Sequence, residues 1–179
     1  MSQVFYDEHH LYEIDFSSAT WATDQLHDIF HSAGLTILHD VDWVVETNDE
    51  LLLVEYKNSN HPNARNVFNP LKNEKLDNVA RKYYESIYFL QATRRVENKK
   101  KKFVYILEYK NSDSVTLNMV RNQLICRLPF RLQKEFDNLI EDNQLVLSSN
   151  WIDDLEVLSI AEWNENYAQF PLRLVEGGR

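Results

Sequence analysis

The first regular spacing of apolar positions runs from 18 to 33, SATWATDQLHDIFHSA. There Ala22, Leu26, Ile29, Phe30 and Ala33 fall on one helical face. Ser17 or Ser18 can cap its start and Gly34 fits its stop. The pattern then shortens. Leu35–Leu38 predicts a short strand, and Asp42–Glu46 and Leu51–Tyr56 predict two more around the turn Asn48-Asp49, both residues of which tolerate positive φ. Helical spacing returns over 72–92 through Leu76, Val79, Ala80, Tyr83, Ile87 and Leu90. Phe103–Tyr109, FVYILEY, is a continuous apolar run typical of a buried strand. Residues 114–142 read as helix in two pieces broken near Pro129, because proline disrupts a helix interior. A short strand at Leu145–Leu147 and a helix around Ile160–Tyr167 complete the chain. The predicted order is α-β-β-β-α-β-α: an α/β fold with a mixed central sheet flanked by helices, and a C-terminal helical and strand extension.

With 179 residues, no internal repeat, and only three Gly and four Pro, the chain reads as one domain over 1–179. The core is expected at about 18–142 and the extension at 143–179. A hydrophobic content of 44% is that of a globular protein. The single cysteine, Cys126, excludes an internal disulfide. The opening MSQVFYDEHH has neither a basic nor an apolar segment of signal-peptide type, and no apolar run approaches the ~20 residues of a membrane span. The expectation is a soluble cytoplasmic protein with no membrane partner.

The net charge of −9 is unevenly distributed. Residues 1–56 hold twelve acidic and no basic residues, whereas 57–134 hold seventeen of the nineteen basic residues and six acidic ones. A basic middle between acidic ends points either to a face for a polyanion or to charges that cancel around the folded surface.

The hairpin raises the chemical question. If Asn48-Asp49 is the turn, Thr47 pairs with Glu50, and counting outward Asp42 lies opposite Glu55, with Cβ atoms ~5 Å apart. Alternation puts Lys57 on the face of Glu55. Two carboxylates that close raise one another's pKa unless a cation intervenes. Hard oxygen donors with open positions suit Mg²⁺ or Mn²⁺. Lys57 could then hold an attacking water or a phosphate oxygen. The competing account is a structural ion pair of Lys57 with Glu55 or Asp42 inside the sheet.

Asp42, the run Glu55-Tyr56-Lys57 and the α-β-β-β-α-β order around them resemble the PD-(D/E)xK, or restriction-endonuclease-like, nucleases over roughly residues 18 to 110. Val41 stands where the family name has proline. The resemblance implies a restriction-endonuclease-like core and a metal-dependent nuclease acting on DNA, or on RNA. It implies Asp42 and Glu55 as metal ligands, the Tyr56 carbonyl as an added backbone oxygen, and Lys57 as the residue that positions or activates water. It further implies an acid from the first helix, Asp24 with Asp28 in reserve, and a basic residue on the helix after the ExK strand. For that last role Lys72, Lys75, Arg81 and Lys82 are all available. Cutting two strands would favour a homodimer. The alternative is a catalytically inactive module of the same fold that binds nucleic acid or a protein.

Other constellations carry less. His27 and His31 in HDIFH are spaced as in a zinc helix, but no third ligand follows. Cys126 follows an apolar pair and reads as core. The run NKKKKF at 98–103 reads as a solvated loop, with phosphate contacts as the functional reading. The Asn-rich stretch at 58–70 is a candidate loop over the site. Trp151 and Trp163 are expected to pack the C-terminal region.

Overall fold

The computed structural model describes residues 3–60, 68–93, 95–110, 112–141 and 144–175. Residues 61–67 of the Asn-rich loop, Arg94 and the end of the 114–142 region lie outside them. In chain order the elements are β1 (Val4–Tyr6), β2 (Tyr12–Asp15), β3 (Trp21–Thr23), α1 (Leu26–Ser32), β4 (Trp43–Glu46), β5 (Glu50–Asn58) and α2 (Asn73–Ala92). They continue with β6 (Lys100–Glu108), α3 (Ser114–Ile125), α4 (Phe130–Lys134), α5 (Phe136–Leu139), β7 (Asp154–Leu158), α6 (Ile160–Asn166) and β8 (Leu172–Leu174).

Five strands form one mixed sheet in the order β3-β4-β5-β6-β7, antiparallel from β3 to β5 and parallel from β5 to β7. The hairpin has the register read from the sequence: Trp43 pairs with Val54 and Glu46 with Leu51. The Thr47 hydroxyl accepts the Glu50 N–H at 3.0 Å and closes the turn. Period-2 alternation splits the strand side chains between two cores. Val44, Leu51, Leu53, Phe103, Tyr105 and Leu107 face α2 and α3. Trp43, Val45, Leu52, Val54, Val104 and Ile106 face the opposite way, against α6 and a second sheet. That sheet has three strands in the order β1-β2-β8. Residues Leu51–Val54, apolar on both faces, are the centre of the molecule and 0–1% exposed.

Several elements differ from the sequence reading. The helix expected over 18–33 is divided. Residues 21–23 form β3, because the outer edge of β4 needs hydrogen-bond partners and Ala22 opposite Val45 supplies that pairing. Only Leu26–Ser32 is helical, ended by Gly34 at φ +74° with the Leu35 N–H reaching back to the Phe30 carbonyl. In the five-stranded sheet the first strand, β3, therefore precedes the helix, the reverse of the predicted order. Leu35–Leu38 and Leu145–Leu147 are irregular, and Ile37 and Val146 are each 78% exposed. Without neighbouring strands these short apolar runs have no ladder to join. The C-terminal region contributes a strand to each sheet: β7 pairs in parallel with β6, and β8 pairs antiparallel with β2. The region after Pro129 splits into α4 and α5. Cys126, expected in the core, is exposed at the end of α3. Among the described residues, no helix is long and apolar enough to cross a membrane.

Candidate active site at the end of the central hairpin

Asp42 immediately precedes β4, and Glu55 lies near the end of β5, on the side of the sheet covered by α2. The end of β5 is also the carboxyl end of a parallel pair, where open α/β sheets characteristically leave a crevice for ligands. A cleft of about 580 Å³ opens there. Asp24, Asp42, Tyr56, Lys57 and Lys82 all line it, with Asp40, His27, His31 and His39 on the wall formed by α1 and the segment that follows it.

Glu55, beside Asp42, is 5% exposed. Its partner comes from α2: Lys82 Nζ is 2.8 Å from both Oε1 and Oε2. Asp42 is partly buried, and its Oδ2 accepts the Tyr56 backbone N–H at 2.7 Å. The two carboxylates are in contact, so the site holds two formal negative charges against one ammonium. Burial pushes the Glu55 carboxyl well above the usual range, and the charge of Asp42 pushes it further. Asp42 is raised by burial too, although Lys82 and the Tyr56 N–H partly offset the effect. For Lys82, burial alone would depress the ammonium, but the charges of Glu55, Asp42 and Asp40 outweigh it and raise its pKa.

Helix α2 holds this geometry through a polar stripe at i, i+3 and i+4: Lys82, Glu85 and Ser86. Glu85 accepts the His39 backbone N–H. The Ser86 hydroxyl accepts the Val41 N–H at 3.0 Å. The segment leading into Asp42 is thus clamped to the helix that supplies Lys82. On the other wall, His27 Nδ1 is 3.2 Å from Asp40 Oδ1, and the His27 and His31 rings lie 4.2 Å apart.

The sequence-derived candidates distribute as follows. Asp42 and Glu55 meet as expected. Lys57 lines the same cleft as Asp42 but is exposed, and among the described residues its side chain makes no hydrogen bond or ion pair. The lysine against Glu55 is Lys82, which sequence reasoning left among four candidates. Lys72, Lys75 and Arg81 are exposed and do not line the cleft. Asp24 lines it from the link between β3 and α1, not from within the helix, whereas Asp28 does not. Tyr56 turns its ring to the opposite face, 5.6 Å from that of Trp43. Glu85, Ser86 and Asp40 were missed. The signal available for the first two was the polar stripe at helical spacing inside an otherwise buried helix.

The basic run 98–103 lies at the far end of β6. Lys100 is opposite Glu50, whereas Tyr105 is opposite Glu55, five strand positions or ~16 Å away. Two of its lysines are engaged locally, Lys99 with Glu46 at 3.2 Å and Lys102 with Glu156 at 3.1 Å. Trp163 is fully buried and Trp151 packs edge-on to Phe136, as C-terminal packing requires.

Among the described residues, no three His, Cys, Asp or Glu side chains converge as a ready-made metal cage. The donor chemistry nevertheless fits a hard divalent cation: two adjacent carboxylates, one net negative charge left over, and an open cleft that admits water or phosphate oxygens as further ligands. Compared with models of protein families, with curated proteins and with solved structures, the chain matches none.

Proposed function

We propose that the protein is a metal-dependent phosphodiesterase of the PD-(D/E)xK type that hydrolyses nucleic acid, DNA in preference to RNA. The observation that carries this reading is the buried Asp42–Glu55 pair, of which Asp42 lines the cleft, raised in pKa and only half neutralised by Lys82. Such a pair is expensive for a fold to keep without a use, because each buried charge costs several kcal/mol on the order of its desolvation.

Asp42 and Glu55 would hold Mg²⁺ or Mn²⁺. The bound cation would lower the pKa of water and offset charge developing on the phosphoryl oxygens. The Tyr56 N–H fixes one Asp42 oxygen, and the Asp42 side chain also contacts Glu55. A lysine ammonium beside the pair orients the attacking water. The water oxygen forms a bond to phosphorus as the bond from phosphorus to the 3′ oxygen of the leaving sugar breaks. The water gives up one proton and the leaving oxygen gains one, so the resemblance implies a 5′-phosphate and a 3′-hydroxyl as products.

The test is cleavage of labelled duplex and single-stranded DNA, and of RNA, in Mn²⁺ or Mg²⁺, comparing the parent with Asp42→Asn. Metal-dependent cleavage by the parent, lost in the variant, is the expected result. Equal cleavage by both would remove the assigned mechanism.

One observation favours a second reading, an inactive module that docks a partner. Glu55 already has both oxygens engaged by Lys82, and the cleft is rich in acids, with Asp7, Glu8, Asp24 and Asp40 around it. That reading predicts binding of a partner with no turnover in either metal.

A further inference from the structure

Lys57 and Lys82 reach the same cleft from different elements and in opposite states. Lys82 is held: its ammonium bridges both oxygens of buried Glu55 at 2.8 Å and feels Asp42 and Asp40 as well. Its helix is fixed to the segment before Asp42 through Glu85 and Ser86. Lys57 is exposed at the end of β5, and among the described residues its side chain has no hydrogen-bond or ion-pair partner. Its flexible four-carbon stem carries a compact charge suited to a phosphate oxygen. The remaining charge around the mouth is acidic, with Asp7, Glu8, Asp24 and Asp40 among its walls. Lys57 is the exposed ammonium among these acids, so it is the cation an entering polyanion meets away from the Asp42–Glu55 pair.

We propose that the two lysines have divided the work of one. Lys82 from α2 is the ammonium beside the attacking water, and Lys57 at the end of β5 grips a backbone phosphate of the substrate. The division rests on the nuclease reading. It departs from the ExK pattern of the sequence, which assigns the water-side role to Lys57. The physical reason is position. An ammonium can order water next to the carboxylate pair only if it is itself immobilised there, and the structure immobilises Lys82. An exposed ammonium at the mouth makes a sequence-independent contact that is sensitive to salt.

The experiment uses the full chain and a labelled 30-base-pair DNA duplex. Binding is measured against salt in EDTA, where no turnover occurs. Cleavage is measured in Mn²⁺, and Mn²⁺ affinity by calorimetry without DNA. For Lys57→Ala we expect the salt slope of binding to fall by about one, as for loss of one phosphate contact. KM should rise about tenfold, kcat should stay within about threefold, and Mn²⁺ affinity should be unchanged. For Lys82→Met we expect an unchanged salt slope, a loss of at least about 100-fold in kcat, and tighter Mn²⁺ binding, because Glu55 is released from its ammonium. Lys82→Arg keeps the ion pair and the fold. It should lose kcat with an unchanged slope, since a planar guanidinium cannot take the place of a point charge. A 100-fold loss of kcat in Lys57→Ala with an unchanged slope, or a changed slope in the Lys82 variants, overturns the proposal while leaving the nuclease reading intact. A parent that binds DNA without cutting it removes the nuclease reading and the Lys82 role together. A parent that neither binds nor cuts removes both lysine roles.

Discussion

The hydroxyl of Ser86 accepts the backbone N–H of Val41 at 3.0 Å, with Ser86 0% and Val41 1% exposed. The residue after Val41 is Asp42, so a single hydroxyl on α2 fixes the height of the candidate metal ligand above the sheet. In Ser86→Ala the Val41 N–H stays buried without an acceptor, and the expected loss is about 2 kcal/mol in urea unfolding. A variant as stable as the parent would mean that the helix does not hold this segment.

The carboxyl groups of Asp42 and Glu55 are raised in the fold, so the native state binds their protons more tightly than the unfolded chain does. Stability of the metal-free protein from this pair is then greatest below about pH 4, the unfolded carboxylate range. It declines as pH rises through the higher folded values. Asp42→Asn removes one of the opposed charges while its amide oxygen can still accept the Tyr56 N–H. It should be more stable than the parent at pH 7 by about 1 kcal/mol, with the advantage shrinking towards pH 4. Urea titrations of both proteins in EDTA at the two pH values check this, and an advantage that grows on acidification would contradict it.

Removing the cation has the opposite effect. Lys82→Met leaves two adjacent carboxylates with no counter-charge and should cost about 3 kcal/mol at pH 7 without metal. The penalty should narrow in acid, where the pair takes up protons. Thermal melts across that range measure it. A penalty independent of pH would place the effect in packing of the side-chain stem.

Metal should reverse that cost. If Asp42 and Glu55 hold Mn²⁺, the melting temperature should climb with the logarithm of its concentration. The gain should be about 2.7 kcal/mol at a hundred times the dissociation constant. Asp42→Asn should show no such climb, and an identical climb in both proteins would locate metal binding elsewhere.

The parts of this protein legible in sequence are those governed by neighbours along the chain. The turn at Asn48-Asp49 and the alternation on either side define the register that brings Asp42 to Glu55. The long helical spacing of 72–92 gives α2 almost to its ends. The motif Glu55-Tyr56-Lys57 draws the eye to the right end of the right strand. Less legible were strands of three to five residues such as β3, β7 and β8, which carry little periodicity of their own and exist because an unpaired edge lies next to them. The false strands Leu35–Leu38 and Leu145–Leu147 had comparable local patterns and no edge to meet.

The partner of Glu55 was decided at the same level. Chain spacing puts Lys57 on the face of Glu55 but cannot say where a long, flexible side chain goes. Docking α2 across that face brought Lys82 within 2.8 Å of both carboxylate oxygens and left Lys57 at the mouth of the cleft. The sequence by itself therefore determined which backbone positions surround the candidate site, because strand register and helix period are local. Only the tertiary structure decided which charge faces which, because pairing of buried charges depends on how separate elements pack and on which ammonium loses its water.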